Sequence, residues 1–236
     1  LHSAGIDYIG VDGASSGTID ITDTQASNLV SAGLAFSDAN AVGAAADHIV
    51  MHASAEGTHL STSLQNLQKL GVDTVLVAGG TDSITVDLGG VGGGIAGGAL
   101  SGDNIPLFGD TNGDGTISDS ENAALAVTLN LNGTTADTQI GHIADIATQL
   151  HSAGIDYIGV DGASSGTVHI TDEQATHLVD AGLTFSIGEG AADHIVTGVS
   201  AEGTHLKTSL QDLQKLGVTN VSVEGVSATV DLGTQG

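Results

Sequence analysis

The residues best suited to chemistry in this chain lie between Asp110 and Glu121, in the run Asp-Thr-Asn-Gly-Asp-Gly-Thr-Ile-Ser-Asp-Ser-Glu. Asp110, Asn112 and Asp114 place side-chain oxygens at positions 1, 3 and 5 of twelve, and Gly115 at position 6 permits a sharp turn. Thr116 offers a backbone carbonyl, Ser118 can hold a water, and Glu121 at position 12 can close the ring with both carboxylate oxygens. Ca²⁺ takes six to eight oxygens at about 2.3–2.6 Å, and this spacing supplies oxygens alone. Ile117 at position 8 is placed to anchor the loop on apolar neighbours. The rival reading is an Asp/Asn/Gly-rich turn without metal.

Other groups were weighed against this loop. There are 10 histidines. Asp47-His48 recurs as Asp193-His194 and His59 as His205, but His52, on the same strand face as His48, becomes Gly198. A transition-metal site needs several such groups converging with supporting partners, so edge or surface histidines are expected instead. The serine-rich Asp12–Gly17 turn spells G-x-S-x-G at Gly13–Gly17, but no histidine is placed by sequence to act as its base. Asp12, Asp20 and Asp23 recur as Asp161, His169 and Asp172, which suits solvated turn carboxylates and a helix cap better than a ligand set. The Gly-rich stretch Val91–Gly98 lacks the Lys-Ser/Thr of a phosphate-binding loop. No catalytic residues are assigned, and an enzyme is not expected.

The elements that must position the loop come in two copies. Residues 1–18 and 150–167 read LHSAGIDYIGVDGASSGT in both places. The offset is 149 from Leu1/Leu150 to Phe36/Phe185, 146 at Asp47/Asp193 and 144 at Leu88/Leu232, so the small deletions mark loops. The expected organisation is a first module over 1–89, a Gly-rich linker over 90–103, the calcium loop and a following helix over 104–134, and a second module with its leading helix over 135–236. The first copy opens within its unit, which leads to the expectation that the parent protein extends in both directions. Close tandem repetition also speaks against catalysis, which seldom needs adjacent identical copies.

Within each copy a helix stop recurs as small-or-Leu, Gly, aliphatic: at Gly5, Gly33, Gly71, Gly154, Gly182 and Gly217. Glycine just past a helix takes the left-handed conformation that ends it. Ala26, Leu29, Val30 and Gly33 share one helical face, as do Leu60, Leu64, Leu67 and Leu70. Thr22, Asp23, Thr62 or Ser63 can cap the starts. Strands are expected over Ile6–Val11, Thr18–Ile21, His48–Met51, Val72–Val77 and Ile84–Leu88, with Gly/Ser turns separating paired strands. After the calcium loop, Ala124, Val127 and Leu131 lie along one side of an expected helix, whereas Pro106 and Gly109 disfavour an entering one. The fold class is α/β, built from repeated strand-turn-strand-helix units in layered or solenoid-like modules.

Composition narrows the function classes. Of 236 residues, 28 are acidic and 3 basic, for a net charge of −25. Such a surface repels nucleic acid and anionic membranes, and it repels itself, which bound cations relieve. Cysteine is absent and no run of 18 apolar residues suggests a membrane span. No charged-then-apolar leader is seen in these residues. The apolar fraction of 40% comes from Ala, Val, Ile and Leu, with Tyr8, Phe36, Phe108, Tyr157 and Phe185 the aromatics, which suits thin repeated layers.

The loop resembles that of EF-hands, and Gly109–Leu129 looks like one calcium-loop half of a dockerin domain, of which dockerins carry two. The tandem acidic copies and repeats of the form AGxDxIxVxD…TxxITDxQAxxLxxAG resemble large bacterial type I-secreted adhesins of the repeats-in-toxin kind, although a tandem GGxGxDxUx array is absent. That resemblance implies a secreted, cell-surface, calcium-binding protein that is structural or adhesive, associates with its own copies in a fibre, layer or biofilm, and meets glycans or other surface proteins. A calcium-dependent carbohydrate-binding surface protein is the alternative.

Overall fold

The computed structural model describes residues 8–9, 18–36, 48–53, 59–77, 82–89, 105–132, 136–161, 167–185, 194–199, 205–223, 229 and 232. The chain divides into a first unit, Leu1–Val127 with Ser152–Gly154, and a second, Thr128–His151 with Ile155–Gly236. Both mix helices with parallel sheet, and seven helices occur among the described residues. The Asp12–Gly17 turn, most of the Gly-rich linker, and the Gly5 junction lie outside the described residues.

In the first unit the order is β1 (Tyr8–Ile9), β2 (Thr18–Thr22), α1 (Asp23–Ser31), β3 (Ala35–Phe36), β4 (His48–Ala53), α2 (Leu64–Leu70), β5 (Thr74–Val77), β6 (Ser83–Asp87), β7 (Leu107–Phe108) and α3 (Asp119–Asn122). The next strand, β8 (Ala126–Asn132), starts in this unit and runs into the second. There it is followed by α4 (Ala136–Asp145), α5 (Ala147–Ser152), β9 (Tyr157–Asp161), β10 (Thr167–Thr171), α6 (Asp172–Ala181), β11 (Thr184–Phe185), β12 (His194–Val199), α7 (Leu210–Leu216) and β13 (Asn220–Val223).

Neighbouring strands in sequence do not pair across the Gly/Ser turns as expected. β1 pairs with β3 (Tyr8↔Ala35), while β2 pairs with β4 (Thr18↔His48). β4 then pairs with β5 (Val50↔Thr74) and β5 with β7 (Thr74↔Leu107). The second unit repeats the rule: β8 with β9 (Thr128↔Tyr157), β9 with β11 (Tyr157↔Thr184), β10 with β12 (Thr167↔His194) and β12 with β13 (Val196↔Asn220). Each pairing is parallel, with partners 24 to 33 residues apart. Parallel strands cannot be joined by a two-residue turn; they need a crossover of a dozen or more residues, usually helical. The helices α1, α2, α6 and α7 lie within such crossovers.

The helix ends follow the local sequence. Thr22 caps α1 and Thr171 caps α6, each with its side chain accepting from the N–H of Gln25 or Gln174, while that Gln side chain accepts from the cap N–H. Gly33, Gly71, Gly154, Gly182 and Gly217 all have φ between 69 and 90°. The cores are apolar and mostly aliphatic: Met51, Leu64, Leu67, Leu70, Val75, Ile84 and Phe108 in the first unit, and Leu129, Ile140, Ile143, Leu150, Ile158, Leu178 and Leu213 in the second. Each such side chain contributes about 1.5–3 kcal/mol when fully buried.

The expected helix after the Asp110–Glu121 loop is corrected. Helix α3 lasts one turn, Asp119–Asn122, and the chain then enters strand β8. The reason is the period: Val127, Leu129 and Leu131 alternate with Ala126, Thr128 and Asn130, and all three are buried. Apolar residues at alternate positions fit a pleated strand.

One tie appears in both copies. The Asp23 carboxylate, in the first turn of α1, accepts from the N–H groups of Ser61 (2.7 Å) and Thr62 (3.1 Å), and the Thr62 hydroxyl donates to the Asp23 carbonyl. Asp172 does the same with the N–H groups of Lys207 and Thr208 and the Thr208 hydroxyl. The start of one helix thereby holds the approach to the next, across a crossover. Removing such a carboxylate strands two amides and costs roughly 1–3 kcal/mol. Chemical denaturation of Asp172→Ala is expected to show that loss, with an unchanged midpoint contradicting the tie.

Candidate metal centre

The Asp110–Glu121 loop is launched by β7 in the first unit. Phe108 is buried, and its N–H donates to the Ala153 carbonyl at 2.8 Å. Gly154, with φ +87°, lets this approach occur: a Cβ there would lie 2.6 Å from the Phe108 carbonyl oxygen and 3.5 Å from Ile117 Cγ1. Ile117 is half-buried beside that glycine, which matches its expected anchoring role.

Within the loop, short-range bonds wrap the chain around its own carboxylates. Asp110 is buried; its Oδ1 accepts from the Gly113 N–H at 2.8 Å and its Oδ2 from the Gly115 N–H at 3.0 Å. Asn112 Oδ1 accepts from the Asp114 N–H at 2.8 Å, and Asp114 Oδ1 accepts from the Thr116 N–H at 2.9 Å and hydroxyl at 2.7 Å. Gly115 at position 6 sits at φ 81°, the turn conformation expected of it.

Glu121 brings the far end back to the beginning. Its Oε1 accepts from the Thr111 N–H and hydroxyl, both at 2.9 Å, and from the Asn112 N–H at 3.3 Å. Its Oε2 accepts from the Ser118 hydroxyl at 2.7 Å and N–H at 3.1 Å. Ser118 in turn accepts from the Glu121 N–H, so the pair also caps α3. The Ser118 hydroxyl and N–H, then Thr111, hold the Glu121 carboxyl down at about 2, against an ordinary 4.5. Asp110 and Glu121 are buried, whereas Asn112, Asp114, Thr116 and Ser118 are exposed.

The donor set is thus all oxygen, as a hard cation requires. Each Asp110 oxygen accepts one N–H and keeps a lone pair, whereas Asp114 Oδ1 and both Glu121 oxygens accept two or more donors. Among the described residues no three His, Asp or Glu side chains are gathered closely enough to hold a metal ion. The loop is closed end to end, and its carboxylates are committed to loop amides.

Three of the described histidines face single carboxylates at exposed positions. His52 Nε2 lies 2.8 Å from Asp20 Oδ1, His59 Nε2 2.9 Å from Asp87 Oδ1, and His169 Nδ1 3.0 Å from Asp137 Oδ2. Where Asp20 becomes His169, the histidine finds Asp137 on α4 instead of a partner on the adjacent strand. The recurring Asp47 and Asp193 lie outside the described residues. The paired roles of Asp23 and Asp172 were missed as tertiary ties; the joint recurrence of Asp23 with Thr62 and Asp172 with Thr208 carried the signal.

No helix among the described residues is long and apolar enough to cross a membrane. Compared with family models, curated proteins and solved structures, the chain gives no significant match.

The Glu121 shift predicts a pH dependence with a definite sign. A carboxyl lowered on folding stabilises above its unfolded value and loses that contribution as pH falls through the folded one. In metal-free buffer, wild type is expected to gain on Glu121→Gln in thermal midpoint as pH rises from about 2 to 4.5. Parallel melting curves over that window would contradict the loop closure.

Proposed function

We propose that this chain is an extracellular calcium-binding structural or adhesive repeat protein of the bacterial cell surface, acting through its surfaces and assembly rather than through catalysis. The observation that carries this reading is the twelve-residue oxygen loop between two near-identical copies, closed by Glu121 onto Thr111 and Asn112. Parallel pairing at intervals of 24 to 33 residues supports a solenoid-like reading of each module, since every turn of such a coil lays its strand beside the last.

In this reading Asp110, Asn112, Asp114, the Thr116 carbonyl, a water on Ser118 and Glu121 hold one Ca²⁺. Binding requires Asp114 and Glu121 to turn lone pairs from the loop amides toward the ion, and the exposure of Asn112, Asp114 and Thr116 leaves room for that. The charge of −25 favours cation uptake. Internal cations offset little of it: Lys207 lies 3.8 Å from Glu173 and Lys215 3.4 Å from Asp212, and solvent screens such pairs. Divalent ions at millimolar levels screen and bridge like-charged copies, which supports calcium-dependent self-association.

Calorimetry tests the site. One Ca²⁺ is expected to bind with a dissociation constant of roughly 10⁻⁴–10⁻³ M, the range of extracellular modules. Glu121→Ala is expected to abolish that event, and undiminished binding by the variant would overturn the assignment. The same titration followed by light scattering reads assembly, which chelation is expected to reverse.

A further inference from the structure

The two copies form an internal experiment, because the same sequence meets different surroundings. Leu64, Val75 and Leu88 of the first copy correspond to Leu210, Val221 and Leu232 of the second. The first three are 0%, 0% and 1% exposed, and their counterparts 48%, 39% and 75%. Positions one helical turn away do not differ: Leu67, Leu70, Leu213 and Leu216 are all buried. The inner side of the helix keeps its burial in both copies, so the change is not a general loosening of the second copy.

Beside Val75 in the first copy lies a further strand. Strand β7 lies parallel to β5, with Thr74↔Leu107 and Val75↔Phe108. The Leu107 N–H donates to the Asp73 carbonyl at 2.8 Å and the Gly109 N–H to the Val75 carbonyl at 2.9 Å, while Ala126 N–H reaches the Asp82 carbonyl at 2.8 Å. In the second copy β13 stands where β5 does, and among the described residues it is the last strand of the order β10-β12-β13. An edge strand beside exposed apolar side chains is a template for a further strand.

The opposite end behaves consistently. Ile9, Ile19, Leu29 and Phe36 are half-buried in the first copy, whereas Ile158, Val168, Leu178 and Phe185 are buried in the second. There β8 pairs with β9 and α4 packs on α6 and β10. Exposure thus tracks the presence of the intervening segment at both ends.

We infer that the face formed by Leu210, Val221, Leu232 and the edge of β13 is an acceptor for a further segment of the 105–126 kind, docking a parallel Leu-Phe strand on β13 as β7 docks on β5. This rests on the copy comparison and stands whether or not the loop takes calcium.

The test extends the full chain after Gly236 with a second copy of residues 90–132, so that the added segment follows its module in the natural order. Amide hydrogen exchange is then measured on β13, Asn220–Val223. The expected result is a slowing of about tenfold or more, as a new sheet neighbour protects those amides. The slowing is expected to vanish when the appended copy carries Leu107→Asp and Phe108→Asp. Unchanged exchange with the unmodified extension overturns the inference. So does concentration-dependent protection of β13 in the unextended chain, which would make a second whole copy the occupant.

Discussion

Parallel pairing is the constraint on which the rest of this structure depends. A strand whose partner lies 24 to 33 residues away can be reached only by a long crossover, so each module must interpose a helix or loop between partners. The helix stops at Gly71 and Gly217, the caps at Thr22 and Thr171, and the ties made by Asp23 and Asp172 all govern those crossovers. They turn the chain so that aliphatic strands come to lie side by side. The scarcity of aromatics follows from the same arrangement, since β-branched and leucine side chains fill thin parallel layers without large rings.

The acidic loop is placed by that framework. It leaves β7, itself held on β5, and returns through Ser118 and Glu121 into a single helical turn before β8 begins. Its backbone is bound at both ends by sheet, and its interior by carboxylate–amide bonds. On the proposed reading, cation binding asks the side-chain oxygens of this loop to turn from its amides toward the ion. The strongly negative chain supplies the electrostatic incentive, while its three lysines supply almost no internal relief.

Much of this was legible in the residues. Although Ser63 caps α2 without a side-chain bond and the Thr62 hydroxyl turns to the Asp23 carbonyl, the described glycine stops, the Thr22 cap, the approximate extents of β2, β4 and β6, and the Gly115 turn followed from local chemistry that the fold did not override. Two features did not. Gly/Ser turns between strands suggested pairing across the turn, because strand propensity carries no information about which strand is the neighbour. The segment after the loop suggested a helix because Ala124, Val127 and Leu131 can be fitted to a helical stripe, yet Val127, Leu129 and Leu131 obey the period of two once the sheet demands it. The convergence of ligands was not legible either: spacing places six oxygen donors in order along the chain, but the direction in which each carboxylate turns is decided by competing amides.

The central claim is that each copy is built by parallel pairing across long crossovers and not by hairpins. Cross-strand nuclear Overhauser contacts of the isotope-labelled protein test it most directly. The account predicts parallel-type amide–α contacts in the registers Met51↔Val75 and Leu129↔Ile158, and none linking β9 to β10. Antiparallel contacts between Tyr157–Asp161 and Thr167–Thr171 would contradict it.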